Sequence, residues 1–362
     1  MKSERDDEMR AISQLSRIVE PLLVWYEKKA RDLPWRKSKD PYAIWVSEIM
    51  LQQTRVEAVK PYFARFMAEL PTIAHLAKVE ETRLLKLWEG LGYYSRARNL
   101  KKAAETVVRE YGGRLPRSYD ALLSLSGIGS YTAGAIASIA FDIPVPAVDG
   151  NVLRIVSRIL ADDSDIADAK TKRAVTSLLT RVMPQNRAGD FNQALMDLGA
   201  TVCLPVGKAR CEVCPLRAMC EAYLDDNVAA FPVKSAKKKR RIEKRTVWLI
   251  SFGDNIAILR RPPKGLLAGL WEFPNEEGFR SMKEWREELT GRGWHVKSIK
   301  RAGEVNHIFT HIEWKMKGYW VEVSEPIGEW EWVRRDDLTD VYPIPTAFKY
   351  YQQQLLKKEV QK

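Results

Sequence analysis

Apolar positions recur at helical spacing along the first two thirds of this 362-residue chain and alternate as in strands along the last third. Between about residues 9 and 31, Ile12, Leu15, Ile18, Val19, Leu22 and Leu23 fall on one stripe and predict an amphipathic helix. Asp32-Leu33-Pro34-Trp35-Arg36 breaks it. Tyr42 to Gln52 is apolar except for Ser47, Glu48 and its end, and Glu48 and Gln52, four apart, share one helix face. Further helices are predicted over Thr72–Ala77, Glu81–Trp88, Ala97–Tyr111 and Tyr119–Leu125.

Leu122 to Asn151, LLSLSGIGSYTAGAIASIAFDIPVPAVDGN, reads as helix, tight Gly-Ile-Gly turn, helix. Gly127 and Gly129 can take positive φ and bring bare N–H groups close to a partner. Ser130 is expected to cap the second helix, whose N-terminus offers a site for phosphate. Ala133, Gly134, Ala135, Ala137 and Ala140 let another helix approach closely, and Pro144 and Pro146 stop the run. Asp149 then stands at the cap position of GNVLRIVSRIL, and helices continue to about residue 200.

The character changes after Lys234 to Arg245, KSAKKKRRIEKR, a basic run read as linker within 229–245. Val247–Ile250 and Ile256–Arg260 flank Gly253-Asp254-Asn255, a hairpin signal. Leu270–Phe273, Gly318–Val323 and Trp330–Val333 also read as strands, and Gly278–Arg292 and Thr346–Lys358 as helices. The pattern is a mostly α region followed by an α+β domain over 246–362.

A net charge of +12 favours a polyanionic partner, and the charge run itself could lie along phosphates. MKSERDDEMR lacks the apolar core of a secretion signal, and no apolar run approaches the ~20 residues of a membrane span. A cytoplasmic, nucleoid-associated place is expected if the source is bacterial.

Three features carry chemistry. Glu48 sits among Trp45, Val46, Ile49, Met50 and Leu51, surroundings that raise a carboxyl's pKa and suit a general acid. The loop Glu89-Gly90-Leu91-Gly92-Tyr93-Tyr94 sets two aromatics beside glycines, where a ring can be core or can present a face to a base. Cys203, Cys211, Cys214 and Cys220 lie within eighteen residues as C-x7-C-x2-C-x5-C. Four-cysteine zinc sites usually show two close pairs, whereas one close pair with two outliers leans toward a [4Fe–4S] cluster.

The assembled motifs resemble the MutY-type adenine DNA glycosylases of the helix-hairpin-helix superfamily. The resemblance runs through LPWR (Leu33 to Arg36), VSEIMLQQTRV (Val46 to Val56), EGLGYYSRARNL (Glu89 to Leu100), SGIGSYTAGAI (Ser126 to Ile136) and PAVDGNVLR (Pro146 to Arg154). It continues through FNQALMDLGA (Phe191 to Ala200), the cysteines, GLLAGLWEFP (Gly265 to Pro274) and HIFTH (His307 to His311). It implies a helical glycosylase region over 1–228, made of a six-helix module (32–141) and an Fe–S module (1–31 with 142–228), then a Nudix-like lesion-reading domain over 246–362.

The resemblance also implies excision of adenine mispaired with 8-oxoguanine or guanine in double-stranded DNA, by a monomer. Glu48 would protonate adenine N7 and Asp149 would stabilise the sugar cation, electrostatically or as a transient covalent adduct, supported by Tyr131 and Asn151. Arg36 and Gln193 match positions lining the adenine pocket, and Gln52-Gln53-Thr54 matches the wedge that enters the stack. Tyr93 matches the aromatic beside the lesion, and the hairpin at Gly127 and Gly129 would hold phosphate. Phe309-Thr310-His311 matches the loop that contacts oxidised guanine, usually Phe-Ser-His, and the four cysteines match the [4Fe–4S] ligands with a first gap one residue longer than usual. The metal-binding glutamates of a Nudix box fall on Thr290 and Gly291, so nucleoside diphosphate hydrolysis is not expected. The alternatives are a bifunctional endonuclease III-like glycosylase/lyase, which needs a lysine where Tyr131 stands, and a non-catalytic Fe–S DNA-binding module.

Overall fold

The computed structural model describes residues 2–205, 207, 209–236, 239–291, 293–326, 328 and 330–357. By internal packing it comprises two units, Met1–Lys78 with Asn99–Ala236, and Val79–Arg98 with Lys237–Lys362. Segment 79–98, which the sequence reading put inside the 32–141 module, is thus grouped with the C-terminal region.

The first unit is helical. The expected N-terminal stripe lies on helix Lys2–Lys29, with Leu15, Ile18, Leu22 and Leu23 in a core shared with helices Gly150–Leu160, Ala169–Val182 and Ala188–Thr201. Helix Pro41–Leu51 is capped by Asp40, whose carboxylate accepts from the N–H groups of Tyr42 and Ala43, with proline at its first position. Every residue from Tyr42 to Met50 is buried, as an all-round apolar helix requires.

The hairpin departs from expectation at two residues. Gly127 has φ +76°, but Gly129 is extended at φ −92° and is itself the N-cap of helix Ser130–Phe141. Ser130 is therefore the first helical residue rather than the cap, and no side chain caps that end. The small-residue face is used as anticipated: a side chain on Gly189 of helix Ala188–Thr201 would stand 2.8 Å from the Ser138 carbonyl oxygen.

In the second unit, among the described residues, strands β1 (Arg241–Phe252), β2 (Asn255–Arg260), β3 (Trp271–Glu272), β4 (Asn275–Glu277), β5 (Val296–Ile308), β6 (Ile312–Val323) and β7 (Glu331–Arg334) form one sheet. Its order is β3-β2-β1-β6-β5, with β4 against β1 and β7 against β2. The β1–β2 hairpin turns at Gly253-Asp254, as expected. Strand β1 begins six residues before the expected Val247, so the end of the supposed linker is sheet. It runs parallel to β6 from the Arg241–Ile312 pair to the Ser251–Glu322 pair. Charge on alternate positions concealed it: Arg245 stacks over Trp314 at 4.4 Å, and Trp314 Nε1 donates to Glu243 at 2.8 Å. Strand β5 was not anticipated, because its exposed face is polar and its other face is only half-buried.

The expected helix Gly278–Arg292 starts later, at Met282, behind a capping box. Glu284 N donates to Ser281 Oγ and Ser281 N donates to the Glu284 carboxylate. The last helix is Lys349–Lys357 after a 3₁₀ turn at Thr346–Phe348. Arg292, Lys358 and the Lys237 and Lys238 of the basic run lie outside the described residues. Segment 79–98 is tied in by Lys86 Nζ to the Tyr342 carbonyl (3.2 Å) and by Ile344 N to the Glu89 carboxylate (3.0 Å).

The two hairpin glycines should respond differently to alanine. A Cβ on Gly127 would lie 2.6 Å from Asn99 Cβ at a left-handed φ, whereas one on Gly129 meets nothing within 4 Å. Gly127→Ala should cost about 1–3 kcal/mol and Gly129→Ala no more than about 0.5 kcal/mol, read from urea denaturation midpoints.

Candidate active site

Glu48 and Asp149 line one cavity of about 180 Å³ in the helical unit, together with Arg36, Thr54, Tyr131, Asn151 and Gln193. A cavity of roughly 150 Å³ already admits benzene, so a flat heterocycle fits this one.

The two carboxyl groups have opposite environments. Glu48 projects from the fully buried helix Pro41–Leu51 and is 5% exposed. Its Oε2 is buried with no hydrogen-bond partner among the described residues. Burial pushes its pKa up to about 7, against the pull of the Tyr131 hydroxyl and the Arg36 charge. Asp149 instead caps helix Gly150–Leu160. Its Oδ1 accepts from Asn151 N at 2.8 Å and Val152 N at 2.9 Å, and its Oδ2 from Asn151 Nδ2 at 2.8 Å. Three donors at a helix N-terminus therefore meet this carboxyl group.

Tyr131, in the first turn of helix Ser130–Phe141, donates toward Met196 Sδ at 3.7 Å, and burial holds its hydroxyl well above the usual phenol range. Arg36 is engaged bidentately by Asp197, with Nη1 and Nη2 at 2.7 and 2.8 Å from its two oxygens. Arg31 Nε donates to the same carboxylate at 2.7 Å. Burial would raise the fully enclosed Asp197 carboxyl, but hydrogen bonds and charge from Arg36 outweigh it and hold the group below its ordinary value.

Gln52 and Gln53 lie at the end of helix Pro41–Leu51. Gln52 Nε2 donates to the Thr132 hydroxyl at 3.3 Å, and Gln53 is exposed in a left-handed conformation, φ 59°. Gly127 and Gly129 form the turn before helix Ser130–Phe141.

In the second unit, Phe309, Thr310 and His311 form the β5–β6 turn. The Phe309 ring is anchored edge-on against Trp314 at 4.9 Å, leaving Thr310 and His311 exposed. The Thr310 and Tyr93 hydroxyls meet at 2.8 Å, so two residues 217 apart in the chain form one feature.

Sequence reading missed Asp197, Arg31 and Asn192. The signal for Asp197 was an acid at i+4 from Gln193 within an apolar helix. Asn192 is buried and saturated: it accepts from Ala147 N (3.0 Å) and donates to Ser138 Oγ (2.8 Å) and the Val145 carbonyl (2.9 Å). It thereby pins the proline-containing segment that delivers Asp149, a role only the fold reveals.

The family profile for HhH-GPD superfamily base excision DNA repair proteins matches residues 46–182, and that of the NUDIX domain matches 246–354. The adenine DNA glycosylase of Rattus norvegicus is 37% identical over 352 residues, covering 81% of this chain and 68% of that protein. That of Schizosaccharomyces pombe is 33% identical, covering 93% and 89%. This chain belongs to the adenine DNA glycosylase family. The solved structure of a thermostable thymine-DNA glycosylase, 30% identical, superposes with a TM-score of 0.54 over 59% of this chain and 98% of its own. The helical unit of this adenine DNA glycosylase family member thus has the fold of a base excision enzyme, and its C-terminal unit is Nudix-like.

The four cysteines line a second, largely apolar cavity beside helix Gly150–Leu160. Arg158, 2% exposed, donates from Nη1 to Cys203 Sγ at 3.2 Å, and Arg154 Nε donates to the Cys203 carbonyl at 2.9 Å. Among the described residues no three His, Cys, Asp or Glu side chains are grouped to hold a metal ion. Four soft sulfur donors around one apolar space nevertheless suit an iron–sulfur group in kind. Among the described residues no helix is long and apolar enough to cross a membrane.

The raised pKa of Glu48 makes stability depend on pH. The unfolded chain ionises this group near its ordinary 4.5 and the folded chain near 7. Its contribution is complete below the lower value and is lost as pH rises through the upper one. Glu48→Gln, which cannot ionise, should match the wild type near pH 4 and exceed its stability by about 2–3 kcal/mol near pH 8 in urea titrations.

Proposed function

We propose that this protein removes adenine from double-stranded DNA where it is mispaired with 8-oxoguanine or guanine, as a monofunctional, monomeric glycosylase. The observation that carries the reading is the unlike pair of carboxyl groups on one cavity: Glu48 buried with its pKa pushed up to about 7, Asp149 met by three hydrogen-bond donors at a helix N-terminus. The adenine nucleoside is extruded at a cost of a few kcal/mol and enters this cavity. A proton passes from Glu48 to adenine N7. The bond from C1′ to N9 breaks, its electron pair leaving with the base. Asp149 faces the resulting positive charge on the sugar, and water adds to C1′ and gives up its proton, leaving free adenine and an abasic site.

The remaining residues take supporting roles. Tyr131 and Asn151 orient the two carboxyl groups, and Arg36 and Gln193 line the base pocket. Gln52-Gln53-Thr54 enters the stack, with Gln53 at the exposed tip of its turn. The uncapped helix start after Gly127 and Gly129 takes backbone phosphate. Tyr93 and Phe309-Thr310-His311 contact the base opposite adenine; the extra methyl of threonine leaves its hydroxyl available to Tyr93. Cys203, Cys211, Cys214 and Cys220 hold a [4Fe–4S] cluster, which cross-links a segment with little core of its own.

A lyase reaction needs an amine to form a Schiff base. The cationic side chains on the cavity wall are Arg31 and Arg36, and no lysine lines it among the described residues.

Single-turnover adenine release tests the assignment. Glu48→Gln and Asp149→Asn should each slow release by about 10²-fold or more, wild-type protein should prefer duplexes carrying 8-oxoguanine over guanine, and none should cut the abasic strand rapidly. Equal rates for all three proteins would remove the assigned roles.

Chelation or Cys214→Ser should abolish the broad visible absorption of an iron–sulfur protein and bound iron. It should also destabilise the helical unit by about 2 kcal/mol or more in thermal denaturation.

A further inference from the structure

Tyr93 is an unusual residue to leave in the open. The residue is 45% exposed, and its backbone has φ 47°, in a loop where Gly90 and Gly92 are also left-handed at 101° and 69°. A tyrosine gains nothing local from that conformation, which costs about 1–2 kcal/mol.

Arg96, one turn further on, holds it there. This arginine is 9% exposed, although it carries a charge. Its Nη2 donates to the carbonyls of Leu91 at 3.0 Å and Gly92 at 3.2 Å. Its guanidinium lies 5.5 Å from the ring centroids of both Trp88 and Tyr93. Trp88 Nε1 donates to the same Gly92 carbonyl at 3.1 Å, and Arg96 N donates to the Tyr93 carbonyl at 2.8 Å. Burying a guanidinium against carbonyls and ring faces carries a desolvation cost that an apolar side chain would avoid. Burial accordingly pulls its pKa down to about 10, which still leaves it charged at neutral pH. At the far end of the ring the Thr310 hydroxyl meets the Tyr93 hydroxyl at 2.8 Å. The exposed ring is thus fixed by its backbone, by its flank and by its tip.

We propose that Arg96 is a positioning residue that presents Tyr93 to the base opposite adenine and so sets the discrimination between 8-oxoguanine and guanine. The proposal rests on the role given to Tyr93 above. Arg96 touches the loop carbonyls and the ring rather than the reacting atoms, so its effect falls on selectivity.

The test is a double-mutant cycle on the full chain, read as the ratio of kcat/KM for the duplex with 8-oxoguanine opposite adenine to that for the duplex with guanine. Tyr93→Ala and Arg96→Met should each shrink this ratio by about tenfold, and the double variant should be no lower than either. Arg96→Lys keeps a charge but loses the planar guanidinium that lies against both rings while its Nη2 reaches both carbonyls, and should fall between. A merely structural arginine would lower both duplexes alike and leave the ratio intact; that result overturns the proposal, as does an additive double variant. If Tyr93→Ala leaves the ratio unchanged, the role of Tyr93 itself fails. Thermal midpoints of all variants separate unfolding from altered selectivity.

Discussion

Burial of the Glu48 carboxyl, with one oxygen that has no hydrogen-bond partner among the described residues, is the constraint on which the candidate site depends. A buried polar atom without a hydrogen bond is costly, and a buried carboxylate is costlier. The helix that carries it is buried from Tyr42 to Met50, and the Glu48 side chain lines the cavity. Burial accordingly favours the protonated form and pushes the Glu48 pKa up to about 7.

Asp149 shows the complementary solution. Two backbone N–H groups and the Asn151 amide satisfy it, and these donors come from the helix it begins. Its position across the cavity is set elsewhere, by the prolines of the preceding segment and by the buried Asn192 amide that grips Val145 and Ala147. The Arg31–Asp197–Arg36 cluster adds a third layer. Its carboxylate is spent on two guanidinium groups, so Arg36 presents a fixed positive charge to the wall facing Glu48. The two carboxyl groups on this cavity thus sit in different surroundings, burial for Glu48 and three hydrogen-bond donors for Asp149.

The C-terminal unit uses rigidity for a different end. Its sheet buries one face against the last helix and projects the β5–β6 turn, where the Phe309 ring is anchored on Trp314 and the two following residues are exposed. The loop bearing Tyr93 belongs to the same unit and meets that turn through a hydroxyl pair. An exposed aromatic held from several sides has little side-chain freedom left to lose.

Local and periodic information was legible in the chain alone. The stripe of helix Lys2–Lys29, the buried helix around Glu48, the Asp149 cap and the Gly253-Asp254 hairpin each depend on residues within one or two turns of one another, so spacing and capping chemistry suffice to find them. Tertiary structure decided what depends on partners far along the chain. It gave positive φ to Gly127 and not to Gly129, because the turn closes against Asn99. It turned charged Arg241–Arg245 into sheet, because β6 supplies hydrogen bonds that no local pattern announces. It brought Asp197 to Arg36 and Thr310 to Tyr93 across 161 and 217 positions. Hydrophobic periodicity records which face of an element is buried, but a polar side chain's partner is chosen by the packing of whole elements, and only the folded chain contains that choice.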